Sequence, residues 1–254
     1  MLLLGYALGM GALGALGVPS ALFLVTVVAG FLARHALATW TRLPAPDSRR
    51  AALFVWALVY CLALAASVGA LVLGYGRWLL VPIGGLLAVV AAASTGLEWL
   101  RRDRTAWGEL INLVGLSLVT PAAAYVGTGA LSPAALGLWL LAVVFFTASV
   151  FHVRYLVRRQ RSSSGPLARR LRAGAASIAY HVGGLALVAA LGAGRMLPPL
   201  AAVALLPMVA KALWAVLHRQ PGPPSVRRLG FIELAHGVVF VVLAIAVFRL
   251  ASEA

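Results

Sequence analysis

Charge is what this sequence has least of. Of its 254 residues 11% are charged and six are acidic. A soluble domain carries nearer a quarter, so this composition does not furnish a water-facing surface for the whole chain. Lysine is reduced to one residue, Lys211, and cysteine to one, Cys61. A single cysteine inside an apolar run excludes an intramolecular disulfide and suits a small core residue. Paired metal motifs are missing too. Glu233-x-x-His236 occurs once, whereas a di-iron bundle repeats it with further carboxylates, so no metal and no other cofactor is expected.

What the chain has in excess is apolar surface. Hydrophobic residues make up 63% of it, with a mean hydropathy of +0.99. Runs of about 20 such residues joined by short loops account for its length, which gives an all-α polytopic membrane protein without a soluble domain. The net charge is +15, but its arginines are confined to loops and helix ends. That pattern is a topology signal first and an attraction to anionic membrane lipid second. With no basic stripe on a soluble fold, nucleic acid is not an expected partner. Arginine far outnumbers lysine and alanine abounds, a bias suggesting a GC-rich bacterial genome and hence the cytoplasmic (inner) membrane.

Hydropathy divides the chain into nine expected spans in one domain: 1–16, 19–40, 51–75, 78–97, 107–126, 133–155, 173–191, 198–217 and 229–250. The first lacks the basic start of a signal peptide and reads as a short helix. Arginines cluster in every second connection: Arg42, Arg49 and Arg50; Arg101, Arg102 and Arg104; Arg158 to Arg172; Arg219, Arg227 and Arg228. The other connections hold only Arg77 and Arg195. The positive-inside rule then places the N-terminus inside and the C-terminus outside. Phe31-Leu-Ala-Arg34 and Phe151-His-Val-Arg154 close the second and sixth spans alike. A parallel repeat offset by four spans and chance similarity are both open readings.

Polar residues within the spans lie toward the arginine-rich side. Arg34 and His35 end the second span, Glu98 the fourth, and His152 and Arg154 the sixth. Glu109 and Asn112 open the fifth, Tyr180 and His181 lie in the seventh, Lys211 in the eighth, and Glu233 and His236 in the ninth. An ionisable residue at membrane depth is expensive and reads as functional by default. Lys211 is the deepest cation, and Glu233 and Glu109 are its expected counter-charges. Glu109, Glu233 and His236 are the candidates for proton transfer. Arg34, His35, Asn112, His152, Arg154, His181 and Lys211 are the candidate ligand-binding residues of one inward-opening chamber. Each has a plainer reading: terminal arginines snorkel, Glu98 and Glu109 pair with the intervening loop, and His181 packs by hydrogen bonding.

Several stretches resemble the YwiC-like family of bacterial integral membrane proteins. They are Phe31-Leu-Ala-Arg34-His35, Arg104-Thr-Ala-Trp-Gly-Glu109-Leu-Ile-Asn112 running on to Pro121 and Tyr125, Phe146-Thr-Ala-Ser-Val-Phe151-His-Val-Arg154, and Leu229-Gly-Phe-Ile-Glu233. The resemblance extends over essentially the whole chain. Such proteins typically begin with a Pro-x-Glu-His-Gly-like segment, and this chain starts after it, leaving an upstream start open. The resemblance assigns no biochemical role and leaves open whether the protein is an enzyme. More distantly, the layout is similar to UbiA-type prenyltransferases, whose second and sixth helices end in aspartate-rich Mg²⁺ motifs. Here those ends read Ala33-Arg34-His35 and His152-Val-Arg154, without the carboxylates that hard Mg²⁺ needs. The first expectation is therefore a UbiA-like bundle binding an anionic or lipid-phosphate molecule through Arg34 and Arg154. A secondary transporter of a small anion or metabolite, coupled through Lys211 and Glu233, is the alternative. A membrane partner subunit with an unknown protein partner is the third reading.

Overall fold

The computed structural model describes residues 1–44, 47–99, 106–159, 167–218 and 225–253, and among them there are helices and no strand. In chain order these are α1 (Leu2–Ala12), α2 (Val18–Arg42), α3 (Arg49–Gly69), which runs on as a π-helical turn (Ala70–Gly74), and α4 (Leu80–Trp99). Then come α5 (Ala106–Ser117), α6 (Val119–Thr128), α7 (Pro133–Arg159) and α8 (Leu167–Ala193). A 3₁₀ turn (Ala201–Leu205) leads into α9 (Leu206–Leu217), and α10 (Val226–Glu253) completes the bundle. The protein is an all-α polytopic membrane protein. Seven of its described helical segments are long and apolar enough to cross a bilayer, while Leu2–Ala12 and Ala201–Leu217 are shorter.

The differences from the expected spans have local causes. Span 107–126 is divided at Leu118, where α5 stops and α6 starts. Pro121 has no N–H to give to Ser117, and its ring crowds that carbonyl, so the backbone closes instead through Leu118 N–H to Gly115 at 3.1 Å. Pro207 sits in the first turn of α9, where its missing donor does no harm, and the residues before it tighten to a 3₁₀ turn. α8 begins at Leu167 rather than at 173. Arg170 is then buried and donates from Nη1 to the Leu217 carbonyl, 3.0 Å away, at the end of α9.

α1 has 11 residues, a rise of about 16 Å, roughly half the hydrocarbon thickness. It lies along the bundle half remote from the arginine-rich ends, between α6 and α10. Leu4 packs beside Gly237, and Gly9 lies flush on the Thr120 carbonyl and Ala123. Farther along, Gly127 meets Gly14 so closely that a Cβ on Gly127 would stand 2.7 Å from the Gly14 Cα. Arg249 of α10 closes the helix, donating from Nε to the Gly11 carbonyl at 2.7 Å and from Nη2 to the Gly14 carbonyl at 3.0 Å. A cation on otherwise unsatisfied carbonyls also answers the helix dipole.

The main core fills the same half. Leu138, Leu141, Phe145, Phe146, Leu205, Met208, Phe240 and Phe248 are all buried there. Phe145 of α7 and Phe240 of α10 stack with ring centroids 3.9 Å apart and planes 4° off parallel. Phe240 lies two turns beyond Glu233 on α10, about 10 Å along the axis. This aromatic layer separates the polar residues of the arginine-rich half from the far side.

Candidate functional site

Four helices, α7 to α10, bring their polar residues together on the near side of that layer. Lys211 of α9 places Nζ 2.7 Å from Glu233 Oε1 and 2.9 Å from Oε2. The two side chains are 11% and 16% exposed. Ser149 of α7 donates its hydroxyl to Glu233 Oε2 at 2.6 Å. The carboxylate thus receives bonds from two helices, which offsets the loss of water around it. Lys211 lies six residues before the end of α9 and Glu233 seven after the start of α10, about 10 Å in by helical rise.

Two imidazoles adjoin the pair. His152 of α7 and His181 of α8 are 3% and 1% exposed, their ring centroids 6.4 Å apart and their planes at 70°. Ser149 and His152 are three residues apart and share a face of α7. Ser149 bonds Glu233, and Glu233 bonds Lys211, so His152, one turn on from Ser149, adjoins the ion pair. His236, one turn after Glu233 on α10, has Nδ1 2.8 Å from the Ile232 carbonyl oxygen. Tyr180 stacks on Phe151 with centroids 4.5 Å apart and walls the cluster on the α7–α8 side.

The remaining expected site residues sit elsewhere. Arg154 Nε donates to Glu109 Oε2 at 3.0 Å, across the contact of α7 with α5. On a helical wheel Arg154 lies about 140° from Ser149 and about 200° from His152. α7 therefore stands between the Arg154–Glu109 pair and the Lys211–Glu233 cluster. Glu109 is paired with Arg154 rather than Lys211. Asn112 is half-buried one turn after Glu109. Arg34 is exposed at the α2 surface and donates from Nη2 to Ser94 Oγ of α4 at 3.1 Å, and His35 beside it is exposed. The expected pairing of Glu98 and Glu109 with the arginines of the 101–104 loop involves side chains outside the described ones, and the side chains of Arg158, Arg159 and Arg219 lie outside them too.

Three serines completing these contacts were not among the expected site residues. Ser94 meets Arg34, Ser149 meets Glu233, and the Ser177 carbonyl meets His181 Nδ1 at 2.6 Å. The helical spacings Ser149–His152 and Ser177–His181 are the signals that mark two of them. Among the described residues no group of three or more His, Cys, Asp and Glu has the arrangement of a metal site.

A separate groove of about 440 Å³ opens at the start of α10, lined by Ser225, Arg227, Arg228, Phe231, Ile232 and Ala235. Arg227 lies over the Phe231 ring at 5.9 Å. Its lining faces away from Glu233 around the α10 axis, so it does not communicate with the buried pair.

No curated protein and no solved structure matches the chain. A family model does match, over residues 1–125, and its description is YwiC-like protein. The match takes in α1 to α5 and most of α6, with Arg34, Glu109 and Asn112, and ends before the helices that carry the Lys211–Glu233 cluster. Over residues 1–125 the chain is similar to the YwiC-like family.

Proposed function

We propose that the protein is a secondary transporter of a small anion or metabolite in which Lys211 and Glu233 form the coupling pair. The supporting observation is the ion pair itself, an ammonium and a carboxylate 2.7 Å apart inside a helical bundle. Two charges at this depth are hard to justify as scaffolding, because a well-packed apolar pair of similar volume would hold the helices as well or better. A pair that exchanges partners during turnover has a reason to remain charged. The arginine-rich loops face the bacterial cytoplasm, which puts the cluster in the inner half of the membrane and the C-terminus outside. The layer of Phe145, Phe146 and Phe240 lies on the outer side of the cluster in this reading, which suits a transporter closed toward the exterior. An anion clamp of Arg34 and Arg154 is less well supported, since the first bonds to α4 and the second to Glu109.

The test is uptake by the purified protein in proteoliposomes under an inwardly directed proton gradient. Radiolabelled inorganic phosphate and a panel of mono- and dicarboxylates serve as probes. Saturable uptake that collapses with an uncoupler and disappears in Lys211→Met is the expected result. No flux above empty liposomes for any probe would overturn the reading.

A further inference from the structure

Beside the ion pair lie buried polar atoms that no described group bonds. His181 Nδ1 is 2.6 Å from the Ser177 carbonyl oxygen. A carbonyl only accepts, so Nδ1 carries the hydrogen, and in the neutral ring Nε2 is left as a bare acceptor. Among the described residues no donor reaches Nε2. His152 Nδ1 and Ser177 Oγ, both buried, are likewise without a partner. A buried polar atom left unpaired is destabilising and calls for a reason. Three of them gather here at the contact of α7 with α8.

Charged and titratable groups surround this contact from every side. His152 comes from α7, Tyr180 from α8, Lys211 from α9, and Glu233 and His236 from α10. Lys211 and Glu233 cancel one another, so the cluster is neutral while the imidazoles of His152, His181 and His236 are all neutral. One proton taken from water onto a free imidazole nitrogen makes an imidazolium and leaves a net charge of +1. Glu233 then has two cations to choose between, and the hold of Lys211 on it is contested.

We infer that the His152–His181 pair is a proton-binding site, filled from the arginine-rich side, whose occupancy governs the Lys211–Glu233 pair. The coupling ion is thereby named as H⁺. This role rests on the transport reading, but proton binding itself can be measured without transport. Glu233, held by Lys211 and Ser149, is the acceptor toward which an imidazolium is drawn.

The experiment uses the full chain labelled with ¹⁵N-histidine in liposomes of phosphatidylethanolamine and phosphatidylglycerol, observed by solid-state NMR. His152→Asn and His181→Asn assign the signals. His181→Asn also keeps a side-chain donor for the Ser177 carbonyl while deleting Nε2, and a melting curve confirms its fold. At about pH 8 His181 should appear as the neutral tautomer protonated on Nδ1. Acidification to about pH 4 should convert one ring of the pair to imidazolium, and that signal should be missing in both variants. Two neutral rings throughout the range in which the protein stays folded would overturn the inference. In proteoliposomes, His181→Asn should lose gradient-driven uptake. Driven uptake unchanged in that variant would remove the proton site and leave the transporter standing. Protonation without any flux would remove the transporter and leave the proton site.

Discussion

Replacing Lys211 by methionine leaves the Glu233 carboxylate inside the bundle with Ser149 but without its cation. The two charged side chains are 11% and 16% exposed, so the magnitude for a buried pair applies rather than that for a surface one. Removing one member of a buried pair costs about 3–5 kcal/mol. Retention of the Ser149 bond favours the lower end, about 3 kcal/mol. For a chain of this size that corresponds to a fall in Tm of about 6–12 °C. Glu233→Leu should cost less, because a freed lysine can snorkel toward the arginine-rich end. The double variant Lys211→Met/Glu233→Leu removes both charges and fills their volume. It should melt within about 1 kcal/mol of wild type or above it, with Ser149 turning to a carbonyl of its own helix. The cycle should thus give a coupling of at least about 2 kcal/mol. Thermal melts in detergent, followed by tryptophan fluorescence, provide the assay, and Trp214 one turn from Lys211 contributes to the signal. A double variant as unstable as the sum of the singles would refute the reasoning, for the two residues would then act separately.

Arg154→Gln should lower stability by no more than about 1 kcal/mol, because its pair with Glu109 is 27% and 37% exposed and water screens it; a chemical-denaturation midpoint in detergent checks this. Gly9→Ala should destabilise by about 1–3 kcal/mol, since its Cβ would drive into the Thr120 carbonyl and Ala123. Gly84→Ala on α4, with nothing within 4 Å of the added Cβ, should be neutral or stabilise by up to about 1 kcal/mol, and melts of both separate packing from helix propensity. Hydrogen bonds and the charge of Arg49 hold the Asp47 carboxyl down at about 2. Its contribution is therefore present above the unfolded carboxylate value near 4 and fades as pH falls toward about 2. The Asp47 side chain is half-buried, but its partner Arg49 stands 75% exposed to water that screens the pair, so Asp47→Asn should move Tm at neutral pH by no more than about 4 °C.

Hydropathy made the helices legible, because a chain of this composition has few other ways to satisfy its backbone in lipid. Their interruptions were less so. Pro121 and Pro207 were visible as prolines, but the division at Leu118 depends on a carbonyl four residues upstream. The ending of α1 at Ala12 involves glycines meeting α6 and Arg249, more than two hundred positions away. Within the site, the pairing of Lys211 with Glu233 followed from the scarcity of charge: one lysine and few acids leave few partners. The pairing of Glu109 with Arg154 did not, because composition does not say which side of α7 faces α5. Ser149 and Ser177 escaped notice because serine is common in apolar helices and gains meaning only from what it touches. The family match, confined to residues 1–125, contributes nothing to the reading of α7 to α10.

The most direct measurement is gradient-driven uptake by the Lys211→Met/Glu233→Leu double variant in proteoliposomes, beside wild type reconstituted at equal density. A coupling pair predicts a bundle that melts like wild type and has lost driven uptake. Wild-type uptake by that charge-free bundle would contradict the central claim and return Lys211 and Glu233 to a purely structural role.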